Sequence, residues 1–73
     1  MTKMDFEKLR TGDLVRSRKG ELHGKRVEVI DIIKNQIVAT TIDEIIIERS
    51  DGVKLIFPYG YKVSGLYQMF ELY

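Results

Sequence analysis

Cysteine is absent from this 73-residue chain, and histidine occurs once, at His23. Without cysteine there can be no disulfide and no thiolate zinc site. One histidine cannot build a histidine-rich metal centre, so no metal and no cofactor is expected. The lack of cysteine also suits a reducing compartment. Long hydrophobic runs are missing too. The longest are three residues, as at Ile45-Ile46-Ile47, against the roughly 20 that cross a bilayer. The N-terminal stretch MTKMDFEKLR mixes charged and apolar residues and lacks the continuous apolar region of a secretory signal. The expectation is a soluble, cytoplasmic protein with no membrane partner.

Catalytic equipment is equally sparse. A serine triad would have to combine His23, in a loop between Gly20 and Gly24, with Ser17, Ser50 or Ser64, and none of these serines sits in a nucleophile elbow. Asp43 and Glu44 are adjacent, so on a strand they point to opposite faces and cannot act as a pair. Gly24-Lys25 lacks the upstream glycine of a phosphate-binding loop. The sequence therefore reads as a non-enzyme.

Seventy-three residues make one domain, here 1–73. A chain this short buries only about 60% of the surface exposed when unfolded. With disulfides and metals excluded, packing or self-association must stabilise it. No internal repeat, linker or low-complexity segment divides it.

Net charge is +1, but unevenly spread. From Arg10 to Arg26 there are six basic residues and two acidic ones; from Val27 onward there are four basic and seven acidic. Such asymmetry suits either a polyanion-binding face or a solvated surface balanced by neighbouring strands.

The apolar residues recur with period two, and the β-branched Val and Ile favour a pleated sheet. Met4 to Leu9 reads as one helical turn, with Asp5 as its N-cap and Phe6 and Leu9 facing the core. Leu14 to Arg18 reads as the first strand, with Leu14, Arg16 and Arg18 on one face and Val15 and Ser17 on the other. Lys19 to Gly24 is a loop. Lys25 to Lys34 is the second strand, whose inward pattern changes phase near Ile30-Asp31 and so predicts a bulge. Lys34-Asn35 is a tight turn, and Gln36 to Thr41 the third strand. Glu44 to Arg49 and Val53 to Phe57 form a hairpin across Ser50-Asp51-Gly52, with Val53, Leu55 and Phe57 inward. Pro58 ends it. Tyr59 to Gly65 reads as irregular, Leu66 to Phe70 as a helical turn, and Phe70 to Tyr73 as a short closing strand. Together these predict an all-β fold, a small barrel of five or six antiparallel strands.

Two stretches carry a resemblance. Gly12-Asp13-Leu14-Val15-Arg16 followed by Gly24-Lys25-Arg26-Val27-Glu28-Val29-Ile30 resembles the opening of KOW and Tudor-type SH3-like barrels. There a Gly-Asp pair leads into the first strand and a glycine precedes a second strand of alternating β-branched residues. Ile45 to Pro58 resembles the hairpin that closes such barrels. The resemblance covers Thr11 to Pro58 and leaves the tail from Tyr59 to Tyr73 outside. It implies an SH3-like barrel whose relatives bind RNA, DNA, ribosomal or polymerase surfaces, or peptides.

Two clusters are candidate binding features. Arg16 and Arg18 share a strand face about 7 Å apart, and Lys19, Lys25 and Arg26 can join them across the hairpin. Such a set suits phosphates, where counterion release gives sequence-independent affinity. It also suits a solvated edge guarded against aggregation. The second cluster is aromatic: Phe57, Tyr59, Tyr61, Tyr67, Phe70 and Tyr73 all lie in the last seventeen residues. Phe57 and Phe70 are expected in the core, and Tyr59 and Tyr61 at the surface. There they could stack on bases or serve a protein contact. Three functions remain open: a nucleic-acid-binding module using Arg16, Arg18, Lys19, Lys25, Arg26, Tyr59 and Tyr61; a protein adaptor using the aromatic tail; and a homo-oligomer whose tail strand pairs with a second copy.

Overall fold

In a computed structural model that describes all residues 1–73, short antiparallel strands form two sheets. The first element is helix α1, Lys3–Lys8. Its cap is Thr2 and not Asp5: the Thr2 hydroxyl accepts from the Asp5 N–H, and the Asp5 carboxylate accepts from the Thr2 N–H. This is a capping box, which needs the acidic residue three positions inside the cap. The bonds to Thr2, hydroxyl first and backbone N–H second, hold the Asp5 carboxyl below its ordinary 3.8. Phe6 stacks on Tyr67 with ring centroids 4.9 Å apart, and Leu9 is buried.

Strands β1 (Leu14–Ser17), β2 (Arg26–Ile33), β3 (Gln36–Thr41), β6 (Lys62–Leu66) and β7 (Phe70–Leu72) make one sheet in the order β6-β3-β2-β1-β7. A single 3-10 turn, Gly20–Leu22, fills the β1–β2 loop and buries Leu22. A second, Tyr67–Met69, carries the chain from β6 back to β7. The inward residues are those the alternation selects: Val15 and Ser17 on β1, Val27 and Val29 on β2, Ile37, Ala39 and Thr41 on β3, and Phe70 on β7.

The bulge falls where the phase change puts it. Val29 pairs with Ala39 and the next pair is Asp31 with Val38, so Ile30 is the extra residue. Without it Asp31 would follow Val27 and Val29 into the core. With it Asp31 stays exposed, and Ile32 turns inward opposite Ile37. The turn at Lys34-Asn35 forces Lys34 to φ +53°, where a side chain is strained.

Two expectations about the sheets are corrected. Seven strands form, not five or six. The added one is β6, formed by the end of the stretch expected to be irregular together with Leu66, expected to open a helical turn. It pairs with β3 along its whole length, from Gln36–Leu66 to Thr40–Lys62. Lys62-Val63-Ser64-Gly65-Leu66 shows no apolar alternation, because Gly65 leaves its inward place to Met69 and Phe70. The second correction concerns the hairpin of β4 (Ile45–Glu48) and β5 (Lys54–Phe57). It is a separate two-stranded sheet, and the two sheets do not close on each other.

The hairpin turns at Gly52, whose φ of +86° requires glycine. Ile45, Ile47, Leu55 and Phe57 are half-buried on one face. Ile46 and Ile56 face each other across the strands on the other, 58% and 60% exposed. Val53, expected inward, is exposed because the turn carries it past the end of the ladder. Where the hairpin joins the main sheet, Thr41 is wholly buried. Its hydroxyl donates to Pro58 O at 2.8 Å and accepts from Tyr61 N at 3.1 Å. No helix is long and apolar enough to cross a membrane.

Candidate functional site

The loop end of β1 and β2 gathers the cations. Arg16 and Arg26 stand directly opposite each other across the β1–β2 ladder, on the outward face of the sheet. Like charges in that position destabilise a sheet. Two neighbours offset the repulsion. Tyr73 lies beside both guanidinium groups, with Arg16 Cζ 4.8 Å and Arg26 Cζ 5.8 Å from its ring centroid. Such a contact contributes about 0.5–1 kcal/mol at an exposed site. Asp43, at the start of the hairpin, accepts from Arg26 Nη2 at 3.4 Å. Glu71 is the residue opposite Arg16 on β7, but the two form no ion pair within 4.0 Å.

These groups line an open, mostly polar hollow of about 410 Å³ between the β1–β2 end and the hairpin. The main sheet lines it with Arg16, Lys25, Arg26 and the Tyr73 ring, and the hairpin with Asp43, Ile45 and Ile46. Lys25 has no carboxylate partner.

The remaining expected residues are dispersed. Arg18 follows β1, with its N–H on Met69 O at 2.8 Å and its own carbonyl 2.8 Å from His23 Nδ1. A carbonyl only accepts, so that nitrogen carries the imidazole proton. His23 thereby closes the loop on which Arg18 and Lys19 sit. Lys19 belongs to a second hollow, of about 260 Å³, with Leu22, Phe57, Tyr61 and Met69. Tyr61 packs edge-on against Phe57 at 4.8 Å and is 44% exposed. Tyr59 is 75% exposed on the turn after Pro58 and lines neither hollow. Of the seven residues, Arg16, Lys25 and Arg26 come together, Lys19 and Tyr61 share the other hollow, and Arg18 and Tyr59 stand apart from both.

Tyr73 was not among the expected site residues. The register of the closing strand brings it there. β7 runs antiparallel to β1 with Arg16 opposite Glu71 and Val15 opposite Leu72. The next pair sets Tyr73 against Leu14, and its N–H lies 3.4 Å from Leu14 O. Side chains alternate, so Tyr73 emerges on the same face as Arg16. No family model matches the chain, nor does any curated protein or solved structure.

Proposed function

We propose that this chain is a non-enzymatic module that binds nucleic acid, RNA or DNA, on the loop end of β1 and β2. One observation carries the reading: two arginines held side by side on a sheet face, with Lys25 next to them, form a charge cluster a phosphate would relieve. Arg16, Lys25 and Arg26 are the central phosphate contacts, and Arg18 and Lys19 extend the cationic surface along the loop. The fold that fits this reading is SH3-like, with the five-stranded sheet curving as such a barrel does while the separate hairpin leaves it open. The bulge that bends β2 and the return of β7 onto β1 give the curvature it needs. A protein-adaptor role through the aromatic tail has less support. Phe70, Tyr67, Tyr61 and Tyr73 all place their rings against other side chains of the fold.

The test is fluorescence anisotropy of labelled single-stranded and duplex oligonucleotides between about 50 and about 200 mM salt. Five phosphate contacts give a log–log slope of about −3.5 on single strands, so affinity falls roughly a hundredfold over that range. Arg16→Glu/Arg26→Glu is expected to abolish binding at the lower salt. Absence of wild-type binding there, or unchanged binding by the double variant, would overturn the reading.

A further inference from the structure

We infer that the hollow between the β1–β2 end and the hairpin seats one unpaired nucleotide, with its phosphate on the cations and a guanine edge on Asp43. The inference rests on the nucleic-acid reading above and deepens it. A polyanion-binding surface needs only cations, and cations on an open sheet face would serve duplex and single strand alike. This hollow has more. Its about 410 Å³ lies within the roughly 300–1,000 Å³ of small-molecule sites. The Tyr73 ring lies beside the cations and the hairpin adds Ile45 and Ile46, aromatic and apolar surface that a phosphate has no use for and a base does. A base paired within a duplex cannot reach that surface.

Asp43 narrows the choice. It is the only acidic side chain lining the hollow, and an ionised carboxylate accepts hydrogen bonds without donating any. It would repel a phosphate placed beside it, so the phosphate sits toward Arg16 and Lys25. The group facing Asp43 must then offer N–H donors. Two adjacent donors, N1–H and the N2 amino group, occur together on the Watson–Crick edge of guanine, which can engage both carboxylate oxygens. Adenine offers one donor there beside an acceptor, and uracil or thymine one donor between two acceptors. Arg26, 3.4 Å from Asp43 Oδ2, holds the carboxylate in place.

The experiment measures anisotropy with labelled single strands of seven deoxythymidines, the same strand with its central residue replaced by guanine, adenine or cytosine, and the duplex of the guanine strand. The guanine strand is expected to bind about tenfold more tightly than the all-thymidine strand, and more tightly than its duplex. Asp43→Asn is expected to remove the guanine preference while leaving the salt slope unchanged. Both groups of the Asp43–Arg26 pair are about half exposed, so its loss should leave the fold intact, which a circular dichroism melt verifies. Equal affinity for all four single strands and the duplex, with a steep salt slope, would sink this inference and leave the broader reading standing. A guanine preference that survives Asp43→Asn would also sink it. Failure of every oligonucleotide to bind at low salt would remove both.

Discussion

Replacing Thr41 by valine tests how the hairpin is anchored. Thr41 is wholly buried at the end of β3, where two backbone turns converge. Its N–H donates to Tyr61 O at 2.9 Å, and its carbonyl accepts from Gly60 N at 3.1 Å. Valine retains both of these. It loses the hydroxyl bonds to Pro58 O and from Tyr61 N. Each contributes about 0.5–1.5 kcal/mol net, and neither partner is fully orphaned, since Tyr61 N also lies 3.0 Å from Pro58 O. The added methyl returns about 0.8 kcal/mol of burial. The balance is a loss of about 1 kcal/mol, or about 4–8 °C in melting temperature for a domain this small. Thermal melts by circular dichroism give the global figure. Amide exchange of Gly60 and Tyr61, compared with amides in β2, shows whether the loosening is local to the hairpin base. A Thr41→Val protein as stable as wild type, with unchanged exchange at Tyr61, would refute the anchoring role.

Further outcomes follow from single residues. Bonding to Thr2 depresses the Asp5 carboxyl in the folded state, so its contribution is complete above pH 3.8 and disappears as pH falls through the lowered folded value. Asp5→Asn should flatten that acid limb in melts taken below about pH 4, and an unaltered limb would contradict the capping box. Lys34 is the one non-glycine residue with positive φ, so Lys34→Gly should stabilise by about 0.5–1 kcal/mol in urea denaturation, the strain relieved exceeding the entropy added to the unfolded chain. A Cβ on Gly65 would stand 3.0 Å from Met69 Sδ and 3.5 Å from Phe70 Cε2. Gly65→Ala should therefore destabilise by about 1 kcal/mol, and a cycle with Met69→Ala should be less than additive, because the clash requires both groups.

Where the sequence was legible, the physics was local. Alternation assigns β1, β2 and β3, and the single phase error at Ile30 marks the bulge because an unshifted strand would bury Asp31. Ser50-Asp51-Gly52 marks the hairpin because only glycine sits comfortably at φ +86°. Asp5 was misplaced by three positions because Thr and Asp both satisfy a cap, and only the reciprocal bond pair tells which plays which part. β6 was illegible for a different reason. Its stability comes from hydrogen bonds to β3, and its own side chains contribute only Val63 to the core. The same distinction governs the site. Arg16 and Arg26 could be grouped from neighbouring strands, but Tyr73 and Asp43 arrive from β7 and the hairpin, whose registers no local pattern encodes.

The hairpin itself is hard to explain as a stabilising element. β3 and β6 are antiparallel neighbours with Thr40 opposite Lys62, so a short turn could join them. The chain instead inserts 42–61, and none of those residues is fully buried. An isolated two-stranded hairpin is marginal at best in water, and this one leaves Ile46 and Ile56 exposed and both strand edges unpaired. None of the seven residues of the core cluster belongs to it. What the hairpin does supply is Asp43, Ile45 and Ile46, one side of a hollow whose other side is Arg16, Lys25 and Arg26. The Thr41 clasp fixes the base of the hairpin near that hollow and near the Phe57–Tyr61 contact. An insertion that contributes no residue to the core cluster and lines one side of that open hollow fits the binding role proposed for it.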